Sequence, residues 1–216
     1  MAILGLDTSC YRTSVALVEG GRVLSDRRRL LSVEAGGRGL RQSEAVFCHV
    51  QNIGPLMEAL RGDAPNAVIT GVCASARPRD VEGSYMPVFT VGENVARSLA
   101  ASLNVPLRLT SHQQGHIRAV IPDTGMEAGA FLALHLSGGT TELLRVDERL
   151  RVSLLGGTSD LHAGQLVDRV GVKMGLPFPA GPALEALAEG CEAASRRPTS
   201  VSGMKVSLSG AEAQAF

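Results

Sequence analysis

The chain has 216 residues, 44% of them apolar, and its 21 basic and 21 acidic residues give a formal net charge of zero. This length suits one large domain or two small ones with a well-buried core. The balanced charge gives no compositional case for nucleic-acid binding, although Arg27, Arg28 and Arg29 form a short basic run.

The N-terminus has no basic region before its apolar run and reaches Asp7 at once, so we expect no signal peptide. No apolar run is long enough for a membrane span. The four cysteines are not in CxxC spacing, which indicates buried thiols in a reducing compartment. We therefore expect a soluble cytoplasmic protein with no membrane partner.

The first thirty residues predict three meandering strands. Residues 2–6 are apolar and typical of a buried strand, which the turn formers of residues 7–10 should end. Further strands are predicted over 13–18 and 22–31, joined by a hairpin at Gly20 and Gly21. A meander with an Asp at the end of its first strand is typical of the actin-like, ribonuclease-H-like nucleotide-binding fold.

The remainder of the first half alternates helices and strands. A mobile glycine-rich loop is predicted over 34–40. The next helix should bury one side, with a break or kink near Gly54 because Pro55 follows. The predicted buried side consists of Val46, Val50, Ile53, Met57 and Leu60. Later elements are predicted as strand 66–73, helix 91–103, strand 105–109 and a helix ending near Val120.

The opening pattern restarts at residue 130. An apolar strand over 130–136, a turn of Gly, Ser and Thr, and two further strands repeat the first meander. We therefore predict an α/β, actin-like (ribonuclease-H-like) duplicated fold with lobes 1–124 and 125–216. The second half shows three strands where the first shows five, and it closes with two helices and a polar tail. We expect the second lobe to be incomplete.

His112 and His116 lie one helical turn apart, on the same face of the predicted helix. Two neutral imidazoles at this spacing make half of a metal site. The alternative is a pair of half-exposed helix histidines with no ligand. No Glu follows His112, so the pattern is not the HExxH of zinc proteases.

The residues Ser137, Gly138 and Gly139 form a turn between two predicted strands. Glycines allow backbone N–H groups to approach a phosphate, and the hydroxyl adds a donor. The alternative is an ordinary glycine hairpin. The matching turn after Asp7, in the other half of a duplicated fold, favours a nucleotide phosphate clamp.

Three further positions carry candidate roles. Asp7 could hold a metal ion or a water near phosphate, or simply cap a turn. Asp168 lies in an otherwise apolar helix and could accept a ribose hydroxyl, although pairing with Arg169 or Lys173 is the simpler interpretation. Gly181 could admit a ribose or base close to the backbone, or form a helix-entry turn.

Together these stretches resemble one family, the tRNA threonylcarbamoyladenosine transferases, formerly labelled O-sialoglycoprotein endopeptidase or glycoprotease. The matching stretches follow the family order and cover most of the chain. They are residues 3–10 with 13–16, 112–116, 136–140, 164–168 and 175–182.

The resemblance implies roles for individual residues. His112 and His116 match ligands of an iron or zinc ion. Ser137, Gly138 and Gly139 match the loop on the phosphate of an adenine nucleotide, which could be ATP or an acyl-adenylate, and Asp168 and Gly181 match contacts to its ribose and base. An Asp ligand and a nucleotide-binding Asn lie near the family's C-terminus, and this sequence ends before either, so we expect the chain to be C-terminally incomplete.

The implied activity is transfer of threonylcarbamoyl from its adenylate to an adenosine of tRNA, with Asp7 as a candidate catalytic residue. A metal would act as Lewis acid, and the phosphate loop would hold the AMP leaving group. Partner proteins could bring the tRNA, and apolar surface left by the short second lobe could be covered in a homo- or heterodimer.

Three departures from the family pattern indicate a diverged paralogue. Tyr11 and Arg12 stand where the family has Asp-Glu, Gln113 and Gln114 fill the stretch between the histidines where the family commonly has Glu, and Arg77-Pro78-Arg79 replaces a glycine-rich loop. Each alters charge at the expected cleft. Two alternatives therefore stay open: a glycoprotease-type metallopeptidase, and a non-catalytic nucleotide-binding or dimerising paralogue.

Overall fold

The computed structural model describes residues 1–31, 40–124, 126, 129–191 and 199–215. The chain divides into two compact units, Met1–Met126 and Glu127–Phe216. No helix among the described residues is both long and apolar enough to cross a membrane. The predicted glycine-rich loop over 34–40 lies, apart from Leu40, outside the described residues.

The described residues of the first unit form a five-stranded mixed sheet with three helices. Its elements, in chain order, are β1 (Ala2–Ser9), β2 (Arg12–Glu19), β3 (Arg22–Leu30), α1 (Gln42–Asp63), β4 (Ile69–Arg77), α2 (Phe89–Leu103), β5 (Leu107–Ser111) and α3 (His112–Thr124).

The strand order β3-β2-β1-β4-β5 places β1 at the centre of the first sheet. β1 pairs antiparallel with β2 and parallel with β4, and β5 extends the parallel side. An antiparallel meander continued by parallel strands defines the ribonuclease-H-like, actin-like topology and confirms the predicted fold class. The main core lies against β1, where Leu4, Leu17, Leu60 and Val72 are almost completely buried.

One local prediction in this unit is wrong. β1 continues through Asp7 to Ser9, because Asp7 and Ser14 face each other in a ladder that runs to Ser9. Helix α1 runs without a break past Pro55 to Asp63. The proline ring therefore does not end the helix, and tertiary packing outweighs its cost.

The buried face of α1 also differs from the predicted one. Ala45, His49, Ile53, Leu56 and Leu60 are buried, whereas Val50 is 58% exposed. Ile53 and Leu60 are buried as predicted, whereas Ala45, His49 and Leu56 take the places of their predicted neighbours.

The second unit contains a five-stranded sheet and three helices. Its elements are β6 (Phe131–Leu136), β7 (Thr141–Val146), β8 (Val152–Thr158), α4 (Ala163–Lys173), α5 (Gly181–Ala188), β9 (Ser200–Ser202), β10 (Lys205–Ser207) and α6 (Ser209–Ala215).

The duplication is confirmed for the meander, since β6, β7 and β8 pair antiparallel in sequence order as β1, β2 and β3 do. Beyond it the halves differ. The second sheet has the order β6-β7-β8-β10-β9, so it is extended from β8 by a parallel strand. The prediction of three strands and a polar tail is therefore wrong, because the tail supplies the β9–β10 hairpin.

The basic run on β3 is largely compensated by acidic neighbours. The guanidinium of Arg27 donates to Asp63 at the end of α1, and that of Arg28 donates to Asp26 on the same strand. Cys10, Cys48 and Cys73 are half-buried thiols, and Cys191 is exposed, so none of the four is fully buried as expected.

Candidate functional site

Asp7 lies near the end of β1, at the edge of the first unit's core. Its Oδ1 accepts the backbone N–H of Ser9 at 3.0 Å, and Oδ2 lies 2.8 Å from Nδ1 of His112. Burial alone raises the pKa of Asp7. Hydrogen bonds from His112, Ser75 and Ser9, together with the charge of His112, outweigh burial and lower that pKa to about 2. Asp7 is therefore a carboxylate held by several donors.

The two candidate metal ligands lie side by side on α3. His112 is the first residue of this helix, directly after β5, and His116 follows one turn later. Their Nε2 atoms are 2.8 Å apart, and their ring centroids are 4.3 Å apart at 75°. The ring of Phe89 lies 5.9 Å from that of His112 and closes one side of the site.

The arrangement fits a metal-binding histidine pair. The carboxylate of Asp7 lies against Nδ1 of His112, and Nε2 of the same ring faces Nε2 of His116 at 2.8 Å. A carboxylate on the far nitrogen is the usual support of a metal-ligating imidazole, because it fixes the tautomer and raises ligand basicity. Within the described residues, no group of three or more His, Cys, Asp or Glu side chains gathers around this point. The described site therefore offers two nitrogens.

A second polar network anchors the start of α3, and sequence analysis missed it. The side-chain carbonyl of Gln114 accepts from Thr110 at 2.7 Å and from the Ser111 backbone at 3.0 Å, while its amide donates to Asp80 at 2.9 Å. Asp80 also pairs with Arg77 at 2.8 Å. Gln114, interpreted only as a departure from the family, thus ties the helix start to the loop after β4.

The second unit carries the glycine turn of Ser137, Gly138 and Gly139 between β6 and β7. The hydroxyl of Ser137 accepts the N–H of Gly139 at 3.2 Å, and Ser137 N donates to Thr140 at 2.8 Å. An added Cβ at Gly138 or Gly139 would meet nothing within 4 Å. The tip of the turn is therefore open to a ligand.

Helix α4 begins directly against this turn. Gly164 N donates to the carbonyl of Ser137 at 3.1 Å, and Ala163 N donates to the hydroxyl of Thr141 at 2.8 Å. A Cβ at Gly164 would lie 2.5 Å from the backbone nitrogen of Gly138. Only glycine allows the helix to approach this closely, so Gly164 sets the shape of the turn.

Asp168 and Gly181 meet at the start of α5. Asp168 Oδ1 accepts the backbone N–H of Ala180 at 2.8 Å, so its carboxylate supports the entry to that helix. Asp168 also lines an open groove with Phe178, whose ring is 75% exposed. The nearest atom to a Cβ at Gly181 is a methyl of Val167 at 3.9 Å, which leaves room beside the backbone.

The structure thus brings Asp7, His112 and His116 together in the first unit, and it places the glycine turn, Asp168 and Gly181 in the second. Topology and site define the class: an actin-like α/β protein with a carboxylate-supported histidine pair. Residues 33–216 match the model of one family, TsaD, tRNA N6-adenosine threonylcarbamoyltransferase. This match spans more than half of the chain, and the protein belongs to that family.

A relative in Variovorax paradoxus, a tRNA N6-adenosine threonylcarbamoyltransferase, is 35% identical over 196 residues. The alignment covers 88% of this chain but 54% of the relative, so the chain spans about half of that protein's length.

Similarity to solved structures is lower. YeaZ from Pseudomonas aeruginosa is 19% identical with a TM-score of 0.46, covering 72% of this chain and 65% of that one. The ethanolamine utilization protein EutJ from Carboxydothermus hydrogenoformans is 14% identical with a TM-score of 0.49, covering 86% of this chain and 61% of that one.

Proposed function

We propose that this protein is a metal-dependent, nucleotide-binding threonylcarbamoyl transferase acting on adenosine in tRNA, an acyl-transfer reaction. Family membership supports the reaction class. The observation that carries the metal part is the convergence of the two Nε2 atoms of His112 and His116, with Asp7 on the remaining nitrogen of His112.

In this proposal His112 and His116 hold an iron or zinc ion. A divalent cation bound there would act as a Lewis acid on a carbonyl oxygen of the substrate. Asp7 orients the imidazole of His112 and keeps its Nδ1 protonated. Phe89 excludes water from one side of the pair, since its ring packs on His112.

The second unit supplies the nucleotide site in the same proposal. The free tip of the turn at Gly138 and Gly139 accepts the phosphate of an adenylate through backbone N–H groups. Asp168 has one oxygen bonded to Ala180, and its second oxygen accepts a ribose hydroxyl. Phe178 offers an exposed aromatic face beside it, and the backbone at Gly181 leaves room for the base.

Two measurements test the proposal. First, Zn²⁺ and Fe²⁺ binding to the purified chain is compared with the His112→Ala and His116→Ala variants, with His162→Ala as a control in the other unit. Second, tRNA transcript is incubated with the protein, threonylcarbamoyl adenylate and candidate partner proteins, and its nucleosides are analysed by mass spectrometry. Metal binding lost in both variants, with threonylcarbamoyladenosine formed, supports the proposal. Equal metal binding in all variants contradicts it.

A non-catalytic nucleotide-binding paralogue is the second candidate. The replacement of the family's acidic pair by Tyr11 and Arg12 favours it. Tight adenylate binding without any product in the transfer assay would select this candidate. We do not propose a peptidase, because the carboxylate at the pair, Asp7, is engaged by His112 and Ser9 rather than presented as a general base.

A further inference from the structure

His49 is a buried polar side chain that the proposed function does not use. It lies on the inner face of α1 and is completely shielded from solvent, with 0% exposure. Burial lowers the pKa of this imidazole, while the Ser9 backbone and the charge of Asp7 raise it, so the ring lies in the field of the candidate site. A histidine buried here costs free energy unless its nitrogens have partners.

One nitrogen has a partner and the other does not. Nδ1 lies 2.8 Å from the hydroxyl of Thr13, which also accepts the amide of Asn52 at 3.3 Å. Asn52 thus occupies one lone pair of the Thr13 hydroxyl, which pairs with Nδ1 of His49. In the described part of the chain, Nε2 is buried without a hydrogen-bond partner of good geometry.

The register of the hairpin connects this ring to Asp7. Thr13 faces Thr8 in the β1–β2 ladder, one rung from the pair formed by Asp7 and Ser14. Ser9, whose backbone acts on the imidazole of His49, donates its own N–H to Asp7 at 3.0 Å. The hydrogen bond to Thr13 therefore links the ring of His49 to the β1–β2 hairpin that carries Asp7.

The same polar chain reaches the protein surface. Arg29 donates to Asn52 at 3.2 Å, and from Asn52 the donors run through Thr13 to His49. The bonds from Arg29 and from Asn52 both point inward, and the hydroxyl of Thr13 connects them to the buried ring, so each bond polarises the next.

We propose that His49 is a positioning residue of the candidate site. Fixed by Thr13, it holds the end of the β1–β2 hairpin so that Asp7 keeps His112 in the Nδ1–H form with Nε2 directed at His116. This inference rests on the function proposed above. The competing interpretation is a core histidine that contributes only to stability.

The test compares His49→Phe, which keeps a ring without nitrogens, with Thr13→Val, which removes the hydroxyl at nearly constant shape. Leu60→Ala is the control, because Leu60 is buried on the same helix within the main core. For each protein we measure the melting temperature, the ¹⁵N imidazole signals of His112 without metal, and Zn²⁺ affinity by competition with a chromophoric chelator, all below the melting transition.

We expect Zn²⁺ affinity to fall about tenfold in His49→Phe, and less in Thr13→Val, as for other outer-shell changes. The ¹⁵N signals of His112 should move from the Nδ1–H form towards a mixture of tautomers in both variants. Leu60→Ala should lower the melting temperature, while the ¹⁵N signals of His112 and the Zn²⁺ affinity stay as in the wild type.

Unchanged ¹⁵N signals of His112 in folded His49→Phe and Thr13→Val overturn the inference, and so do equal shifts in Leu60→Ala. The tautomer measurement needs neither metal nor tRNA. A wild-type protein that fails to bind Zn²⁺ therefore contradicts the proposed function, while the positioning role is still decided by the ¹⁵N signals.

Discussion

Asp7 and His112 are 105 positions apart in the chain, yet Oδ2 of the carboxylate lies 2.8 Å from Nδ1 of the imidazole. The contact joins the end of β1 to the start of α3, at the carboxyl ends of the parallel strands of the first sheet. It turns a pair of helix histidines into a site with a defined tautomer. The predictions below begin from this contact and then move to the second unit.

Replacing Asp7 by Asn removes the negative charge on Nδ1 of His112 while keeping the shape of the side chain. We expect Zn²⁺ affinity to fall about 10- to 100-fold, because the imidazole loses both its orientation and its basicity. Isothermal titration of the chain with Zn²⁺ measures this. Asp26→Asn, an exposed change on β3 beside Arg28, is the matched control. Equal Zn²⁺ affinities of the two variants would show that Asp7 does not support metal binding.

Gly164→Ala tests the close approach of α4 to the glycine turn. The new Cβ would lie 2.5 Å from the nitrogen of Gly138, so backbone must shift. We expect a loss of about 1–3 kcal/mol in the free energy of unfolding, together with weaker adenylate binding. Urea titration and nucleotide titration measure the two effects.

Gly190→Ala is the control for this change, since a Cβ there would meet nothing within 4 Å. The same loss of stability in both variants would show that the turn and the helix do not constrain each other.

Asp63 provides a pH dependence that can be checked by stability alone. Hydrogen bonds from Arg27 and Ser25 lower the pKa of Asp63 from 3.8 to about 2. The folded state thus favours the ionised form, so this contribution is complete above the unfolded pKa and is lost as pH falls from 3.8 to about 2. We expect the stability difference between wild type and Asp63→Asn to shrink over that interval. A difference independent of pH would contradict the prediction.

Asp160 holds the last described segment of the second unit. Its carboxylate accepts the hydroxyls of Ser207 and Ser209, each at 2.6 Å, and the N–H of Leu208 at 2.9 Å. These bonds keep the pKa of Asp160 far below its usual range. We expect Asp160→Ala to increase hydrogen exchange in β10 and α6 more than in the first unit.

The exposed Glu148 in the β7–β8 turn gives the control variant, Glu148→Gln. If Asp160→Ala leaves exchange in β10 as it is in the control, the carboxylate does not hold this segment.

Part of the fold and of the candidate site could be predicted from local sequence patterns. The glycine hairpin after β2, the repeated meander and the pairing of His112 with His116 on one helix face follow from short-range periodicity and turn chemistry. Other features were missed because their partners lie far along the chain. Asp7 belongs to β1 through its ladder with Ser14, and β10 exists because β8 offers a parallel edge.

The amino-acid sequence by itself determined the α/β class, the two half-repeats, the family motifs and the presence of a histidine pair, since each depends on residues close together in the chain. Only the tertiary structure decided that Asp7 supports His112 and that His49, rather than Val50, is buried on α1. The physical reason is that helix rotation against a sheet, and hydrogen bonds between distant strands, are set by packing of the whole unit and leave no local pattern.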